Sequence, residues 1–171
     1  MRDNLIQRHD YQWRVPWAGQ AGIWQLKNKL QTDEMMNLTT AEIKLIFKDW
    51  LKAWNEHDIK GVLSLFHDDI IFENFTGIKI VGKKMLQRSW SPWFLNHGNF
   101  KFLEEDIFFD ENEQKMLFMW KLEWPSLIES YLGKLEIRRG VDILYFENGK
   151  IIQKLSYSKT TIQIEGSLVS L

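Results

Sequence analysis

A single aspartate interrupts an apolar segment in the last quarter of the sequence. Residues 140–151 read GVDILYFENGKI, and Asp142 stands there among aliphatic and aromatic residues. Side chains of a strand alternate between its two faces, so Asp142 shares a mainly apolar face with Leu144 and Phe146. Withdrawal from water disfavours a charged carboxylate and suits a group that donates a proton or a hydrogen bond. The pattern therefore indicates a candidate general acid or base.

An ion pair is the alternative interpretation of Asp142. A buried carboxylate that is both ionised and unpaired is excluded, because it would take up a proton or need a cation. Arg138 or Lys154 can supply that cation, and such a pair makes Asp142 a structural residue. A third arrangement has Asp142 facing water as an ordinary carboxylate. The sequence leaves these arrangements open.

Aromatic residues are the second unusual feature, with nine tryptophans and eleven phenylalanines in 171 residues. Aromatic faces provide broad apolar contact with occasional N–H donors, which suits a flat cavity for ring compounds. Most of these residues must also attach helices to a sheet. The expected pocket residues are Trp54, Phe72, Trp90, Trp93, Phe94, Phe118, Trp120, Leu144 and Tyr157. For Tyr157, half-exposed packing is the alternative.

Charge and composition narrow the classes of function. The chain has 22 Lys and Arg against 23 Asp and Glu, so no overall field would attract nucleic acid or an anionic membrane. It has no cysteine, which removes disulfides and thiolate metal sites. His57 and His67 with their neighbouring aspartates are more typical of helix ends and turns than of a metal site. We expect no metal or cofactor, and a cytoplasmic protein without a membrane span.

The chain divides near residue 38. Residues 1–37 contain scattered tryptophans without a sustained period, which predicts an N-terminal extension that either packs on the domain or a partner, or covers a ligand site. The domain is expected over 38–165, with a C-terminal tail at 166–171.

Helices precede strands within this domain. Thr39 and Glu42 have the spacing of a capping box at the start of a first helix. A second short helix is expected after its cap Asp58, and a third over 83–96, although Pro92 must bend or interrupt it.

Strand patterns follow, near 70–75, 100–109, 114–123, 129–146 and 150–163. Helices followed by a run of strands predict an α+β domain, with three helices covering one face of a curved antiparallel sheet.

Two segments resemble a known superfamily. Residues 50–86, WLKAWNEHDIKGVLSLFHDDIIFENFTGIKIVGKKML, resemble the opening of nuclear transport factor 2-like (cystatin-like) domains, especially the SnoaL-like polyketide cyclases and the ketosteroid isomerases. Residues 138–157, RRGVDILYFENGKIIQKLSY, resemble their last strand pair. The resemblance covers about residues 39–163. It implies a cone-shaped sheet around an apolar pocket, a small apolar or aromatic ligand, and a homodimer through the outer sheet face.

The resemblance also implies roles for individual residues. It makes Asp142 the acid/base of a cyclase, isomerase or lyase. Asn74 stands where the isomerases carry a catalytic aspartate, and Trp50 where they carry a tyrosine donor, which disfavours steroid isomerase chemistry. A cyclase-like scheme has Asp142 moving the proton while Asn74 and Trp50 orient a carbonyl.

Two questions stay open from the sequence. Glu73 and Asn74 point to opposite faces, and the pattern does not decide which one enters the pocket. A non-catalytic module that binds a ligand or forms a dimer is the alternative to an enzyme, since this fold hosts both.

Overall fold

The computed structural model describes residues 37–171, so the expected extension at 1–37 lies almost wholly outside the described residues. The described chain contains three α-helices, eight strands and one short 3₁₀-helix. The helices are α1 (Thr40–Asn55), α2 (Ile59–Ser64) and α3 (Lys83–Leu95), and the 3₁₀-helix spans Glu129–Tyr131. The strands are β1 (Phe66–Glu73), β2 (Lys79–Val81), β3 (Lys101–Asp110), β4 (Lys115–Pro125), β5 (Leu135–Glu147), β6 (Lys150–Ser158), β7 (Thr161–Ile164) and β8 (Ser167–Ser170).

All eight strands belong to one sheet, and the expected α+β architecture is confirmed. The main order is β2-β1-β6-β5-β4-β3, with β7 paired to β5 and β8 to β7. The pairs are antiparallel except β1 with β6, which are parallel, so the expectation of a wholly antiparallel sheet is corrected. Strand β5 pairs with β4, β6 and β7. Asp142 therefore lies in the middle of the central strand.

Helix α1 forms as its sequence predicts. Thr39 accepts a hydrogen bond from the backbone N–H of Glu42, and the Glu42 carboxylate accepts one from the backbone N–H of Thr39 at 2.8 Å. This capping box satisfies N–H groups that have no partner within the helix. Ile43, Phe47 and Trp54 recur at helical spacing on the buried side, which fixes the face that α1 turns toward the sheet.

Helix α3 continues past Pro92 and ends at Leu95. Leu86, Trp90 and Phe94 follow one another at four-residue spacing and are buried. A proline ring removes one helical hydrogen bond, and Pro92 lies on the exposed side close to the end of the helix. The helix thus keeps its aromatic face toward α1.

Three predicted boundaries differ in the last third of the chain. Strand β5 begins at Leu135 rather than at 129, after a turn in which Gly133 has φ of 78°. The expected strand over 150–163 is divided into β6 and β7. The expected tail contains β8, because Gly166, with φ of 85°, allows the chain to reverse and pair with β7.

Gly140 is the position in β5 where a side chain has no room. A Cβ there would collide with the Tyr157 carbonyl and with the six-membered ring of Trp120. We expect Gly140→Ala to lower the free energy of unfolding in urea by about 1–3 kcal/mol through overpacking. Tyr157→Phe, at an exposed side chain, is the control and should change it little. Equal stability of Gly140→Ala and the wild type would contradict this packing.

Candidate functional site

A cavity of about 290 Å³ lies between the helices and the inner face of the sheet. Ile78 and Ser89 are exposed and lie on its wall, so the cavity reaches the surface between the β1–β2 turn and α3. Its lining is almost entirely apolar and aromatic. The lining residues are Trp50, Trp54, Phe72, Asn74, Phe75, Ile78, Ile80, Ser89, Trp90, Trp93, Phe102, Phe118, Trp120, Leu122, Trp124, Asp142, Lys154 and Ser156.

The structure brings six of the nine expected pocket residues to this cavity, namely Trp54, Phe72, Trp90, Trp93, Phe118 and Trp120. Phe94 and Leu144 are buried in the core and do not line it. Tyr157 is a correction, because it lies on the outer sheet face with 51% of its surface exposed. In the register, Tyr157 is paired with Val141, whereas Asp142 is paired with Ser156.

Tryptophan rings form much of the cavity wall and hold one another in place. The Trp54 ring lies 5.0 Å from Trp90 and 5.4 Å from Phe102, measured between centroids. Phe72 meets Trp90 edge to face at 5.1 Å. Such tilted and edge-to-face contacts are the favoured geometry of aromatic pairs. The wall is therefore both apolar and well packed.

Asp142 is buried and forms an ion pair with a lysine. One carboxylate oxygen, Oδ2, lies 2.6 Å from Nζ of Lys154, and both side chains are less than a tenth exposed. Nζ of Lys154 also donates a hydrogen bond to Oγ of Ser156 at 2.7 Å. Of the arrangements that the sequence left open, the structure has the ion pair, with Lys154 rather than Arg138 as the cation.

The second oxygen of Asp142 has no hydrogen-bond partner among the described residues, and the same holds for the indole Nε1 atoms of Trp120 and Trp124. All three atoms are buried, and all three residues line the cavity. A buried polar atom without a partner costs about 1–3 kcal/mol, which a hydrogen bond to a ligand or water would recover. These three atoms are therefore candidates for hydrogen bonds to a polar group.

Burial and the Asp142 carboxylate shift the pKa of Lys154 in opposite directions. Burial lowers the pKa of Lys154, because an ammonium group loses its hydration, and the neighbouring Asp142 opposes that change. The pKa of Lys154 remains below that of a solvated lysine. The amine is therefore easier to deprotonate than the exposed lysines of the chain.

Arg138, the other cation proposed for Asp142, belongs to a different buried pair. Its Nη2 lies 2.7 Å from Oε1 of Glu136, whose other oxygen accepts a hydrogen bond from Ser126 at 2.8 Å. The guanidinium also lies 4.8 Å from the Phe75 ring centroid. Burial alone would raise the pKa of Glu136, but the hydrogen bonds outweigh it and the pKa lies below its ordinary value. This pair leaves Lys154 as the partner of Asp142.

The two residues expected to orient a carbonyl have other partners. The indole N–H of Trp50 donates to the carbonyl of Val62 at 3.0 Å, so it is not a free donor for a ligand. Oδ1 of Asn74 accepts hydrogen bonds from the N–H groups of Thr76 and Ile78 and fixes the β1–β2 turn. Asn74 does lie at the cavity, and Glu73 does not, which answers the question of register at this position.

His57 and His97 serve local structure. His57 stacks on His97 with 3.7 Å between ring centroids, and Asp58 caps α2. Over residues 37–171, no cluster of three or more possible metal ligands is found. Within the same residues, every helix is too short or too polar to cross a membrane.

Besides Ser89, Lys154 and Ser156 are the polar wall residues that the sequence analysis did not assign to the site. Their two-residue spacing on β6 was a usable signal, since it places both on one face. The Phe102, Leu122 and Trp124 side chains were also missed, because their strands show apolar residues on both faces. Only the register across β3, β4 and β5 shows which of them reach the cavity.

Comparisons with known proteins agree with this geometry. The model of the SnoaL-like domain family matches residues 47–154. No curated protein matches the chain in sequence.

Three solved structures share the fold at low sequence identity. A putative polyketide cyclase from Pseudomonas putida KT2440 has a TM-score of 0.57 and 16% identity, covering 71% of this chain and 92% of that one. AclR, a putative hydroxylase from Streptomyces galilaeus, has a TM-score of 0.59 and 14% identity, with 71% and 81% covered. A nuclear transport factor 2-like protein from Cytophaga hutchinsonii ATCC 33406 has a TM-score of 0.55 and 16% identity, with 68% and 99% covered. At these identities the likeness shows the fold alone.

Because the Asp142–Lys154 pair is buried, replacing Lys154 should lower the free energy of unfolding more than replacing Lys121, whose pair is partly exposed. Lys154→Met leaves a buried carboxylate without a cation and should lower the free energy of unfolding by about 3–5 kcal/mol. Replacing both partners, as Lys154→Met with Asp142→Leu, should cost clearly less than Lys154→Met alone.

Lys121→Met is the matched control for this experiment. Lys121 pairs with Glu123 at 2.9 Å, but both side chains are partly exposed, so the loss should stay within about 1 kcal/mol. Urea unfolding measures all four proteins. Equal losses for the two lysine variants would contradict a buried pair at Asp142.

Proposed function

Because this chain belongs to the SnoaL-like domain family, we propose that its aromatic cavity binds a small, mainly apolar organic molecule and that Asp142 acts on it as a general base and acid. One observation carries this proposal: the carboxylate oxygen of Asp142 without a partner is buried at a mainly apolar wall. The family match and the polyketide cyclase and hydroxylase among its structural neighbours support a small-molecule role.

The ion pair determines which step Asp142 takes first. As the carboxylate of this ion pair, Asp142 begins as a base and removes a proton from the ligand through the oxygen that Lys154 does not contact. A carbon next to a carbonyl is the kind of acid that such a base can deprotonate in a water-poor site. The N–H of Trp120 is a donor for the oxygen on which negative charge then develops. Returning the proton to another atom completes an isomerisation, cyclisation or elimination.

A non-catalytic binding module is the second candidate, and the Lys154 contact favours it. A carboxylate with one oxygen held by an ammonium at 2.6 Å can be a structural element of the sheet. In that case the cavity binds its ligand without altering it. The two candidates share the binding step and differ only in proton transfer.

Adjacent residues of β2 test the binding step. Ile80 lines the cavity, whereas its neighbour Val81 is 59% exposed. We expect 2-methylnaphthalene to change the tryptophan fluorescence of the wild type saturably. Ile80→Trp fills the cavity and should weaken that binding by at least about tenfold, the loss of roughly 1.4 kcal/mol of contact. Val81→Trp adds the same ring outside and should leave binding unchanged. Identical binding by both variants would place the ligand elsewhere.

Deuterium exchange tests proton transfer without knowledge of the natural substrate. We expect the protein to accelerate exchange of the α-hydrogens of 2-tetralone in deuterated water, followed by NMR. Asp142→Asn keeps the shape of the side chain but removes the base, and should reduce the acceleration by about 100-fold or more. Unchanged exchange by this variant would refute the role of Asp142. Binding without any acceleration would favour the non-catalytic module.

We also propose a homodimer formed through the outer sheet face. Leu117, Met119 and Tyr157 lie on that face and are 38%, 45% and 51% exposed. Exposed apolar side chains that adjoin one another are typical of an interface. The full chain at micromolar concentration should sediment as a dimer, and Met119→Glu should convert it to a monomer. A wild-type monomer would contradict this arrangement.

A further inference from the structure

Lys154 is a buried amine that reaches the cavity. It is the one buried lysine of residues 37–171, with 5% of its surface exposed. Its Nζ lies 5.4 Å from the centroid of the Phe72 ring, which also lines the cavity. An amine in such a place can act as a nucleophile as well as a cation.

The Lys154 nitrogen donates two hydrogen bonds, and its third substituent position takes part in neither. Two N–H bonds are directed to Oδ2 of Asp142 at 2.6 Å and to Oγ of Ser156 at 2.7 Å. A tetrahedral amine nitrogen has a third substituent direction besides its carbon, and in the neutral form this holds the lone pair. Asp142 and Ser156 thus orient the nitrogen while leaving its lone pair free to react.

We propose that Lys154 forms a reversible Schiff base with an aldehyde or ketone bound in the cavity. This inference rests on the proposed ligand cavity and extends it to a covalent step. It assigns a chemical class to the ligand, an aromatic or apolar carbonyl compound.

Formation of the Schiff base needs only Lys154, Asp142 and the bound carbonyl compound. The ammonium first gives a proton to Oδ2 of Asp142 along the hydrogen bond between them. Rotation about the Cε–Nζ bond then turns the lone pair toward the carbonyl carbon, to which the neutral nitrogen adds. The C=O π bond breaks, and the oxygen becomes the hydroxyl of a carbinolamine as a second proton moves from nitrogen to oxygen. Asp142 then returns its proton to that hydroxyl, which leaves as water while the C=N bond forms. Hydrolysis reverses the sequence, and no oxidant or reductant is needed.

Burial makes Lys154 differ from the other lysines in the described residues, all of which are exposed or half-buried. Loss of hydration lowers the pKa of Lys154, although Asp142 opposes the change. A larger share of this amine is therefore unprotonated and nucleophilic at neutral pH. Selective reaction is expected even though the chain has many more accessible lysines.

Reductive trapping tests the proposal on the full chain. The protein is incubated with 2-naphthaldehyde and sodium cyanoborohydride, which converts a Schiff base into a stable secondary amine, and the modified lysines are located by peptide mass mapping. We expect Lys154 to be labelled at least about tenfold faster than any other lysine. Lys154→Arg should lose this fast labelling, whereas Lys83→Arg, which replaces a half-buried lysine at the start of α3 that does not line the cavity, should keep it.

The outcomes separate this inference from the proposed function. Labelling spread over exposed lysines, with none preferred at Lys154, would overturn the Schiff base. If 2-methylnaphthalene still binds in that case, the cavity stands and only the covalent step falls. If it does not bind, both fall. Because the mapping is done on the wild type, the result does not depend on how well Lys154→Arg folds.

Discussion

The buried contact between Asp142 and Lys154 is the interaction on which the site depends. Burying an isolated carboxylate or ammonium is costly, and each partner here offsets part of the cost of burying the other. The pair is net neutral, which lets it lie beside aromatic rings without a second counterion. Only one carboxylate oxygen is used, and the other remains for a ligand. The carboxyl group that stabilises this face of the sheet is therefore also the one to which we assign the proposed proton transfer.

The fold imposes this contact through strand register. Asp142 is opposite Ser156 across β5 and β6, and Lys154 is opposite Leu144, so both ionisable side chains project from the inner face of the sheet. Helices α1 and α3 then cover that face with tryptophans. Gly140 leaves space for the ring of Trp120, which lines the cavity as Asp142 does. Site and core are consequently built from the same residues.

Much of the architecture was predictable because its signals are local. The capping box at Thr39 and the apolar period of α1 depend on residues within a few positions of one another. The partner of Asp142 was not predictable, since Arg138 and Lys154 fit the alternation equally well. The choice follows from a bulge between Tyr145 and Phe146, which sets the register of β6, and from Glu136, which engages Arg138. Long-range pairing also decides that the N–H of Trp50 is taken by Val62.

The titration of Lys154 tests the central claim most directly. Lysine side chains labelled with ¹³C at Cε report their protonation by NMR, and the Lys154 resonance can be assigned from its absence in Lys154→Arg. If burial beside a single carboxylate governs this amine, the Lys154 resonance titrates at a pH below the ordinary range of a lysine side chain. A Lys154 resonance that titrates together with the exposed lysines would mean that the amine is in water, and the account of the site would be wrong.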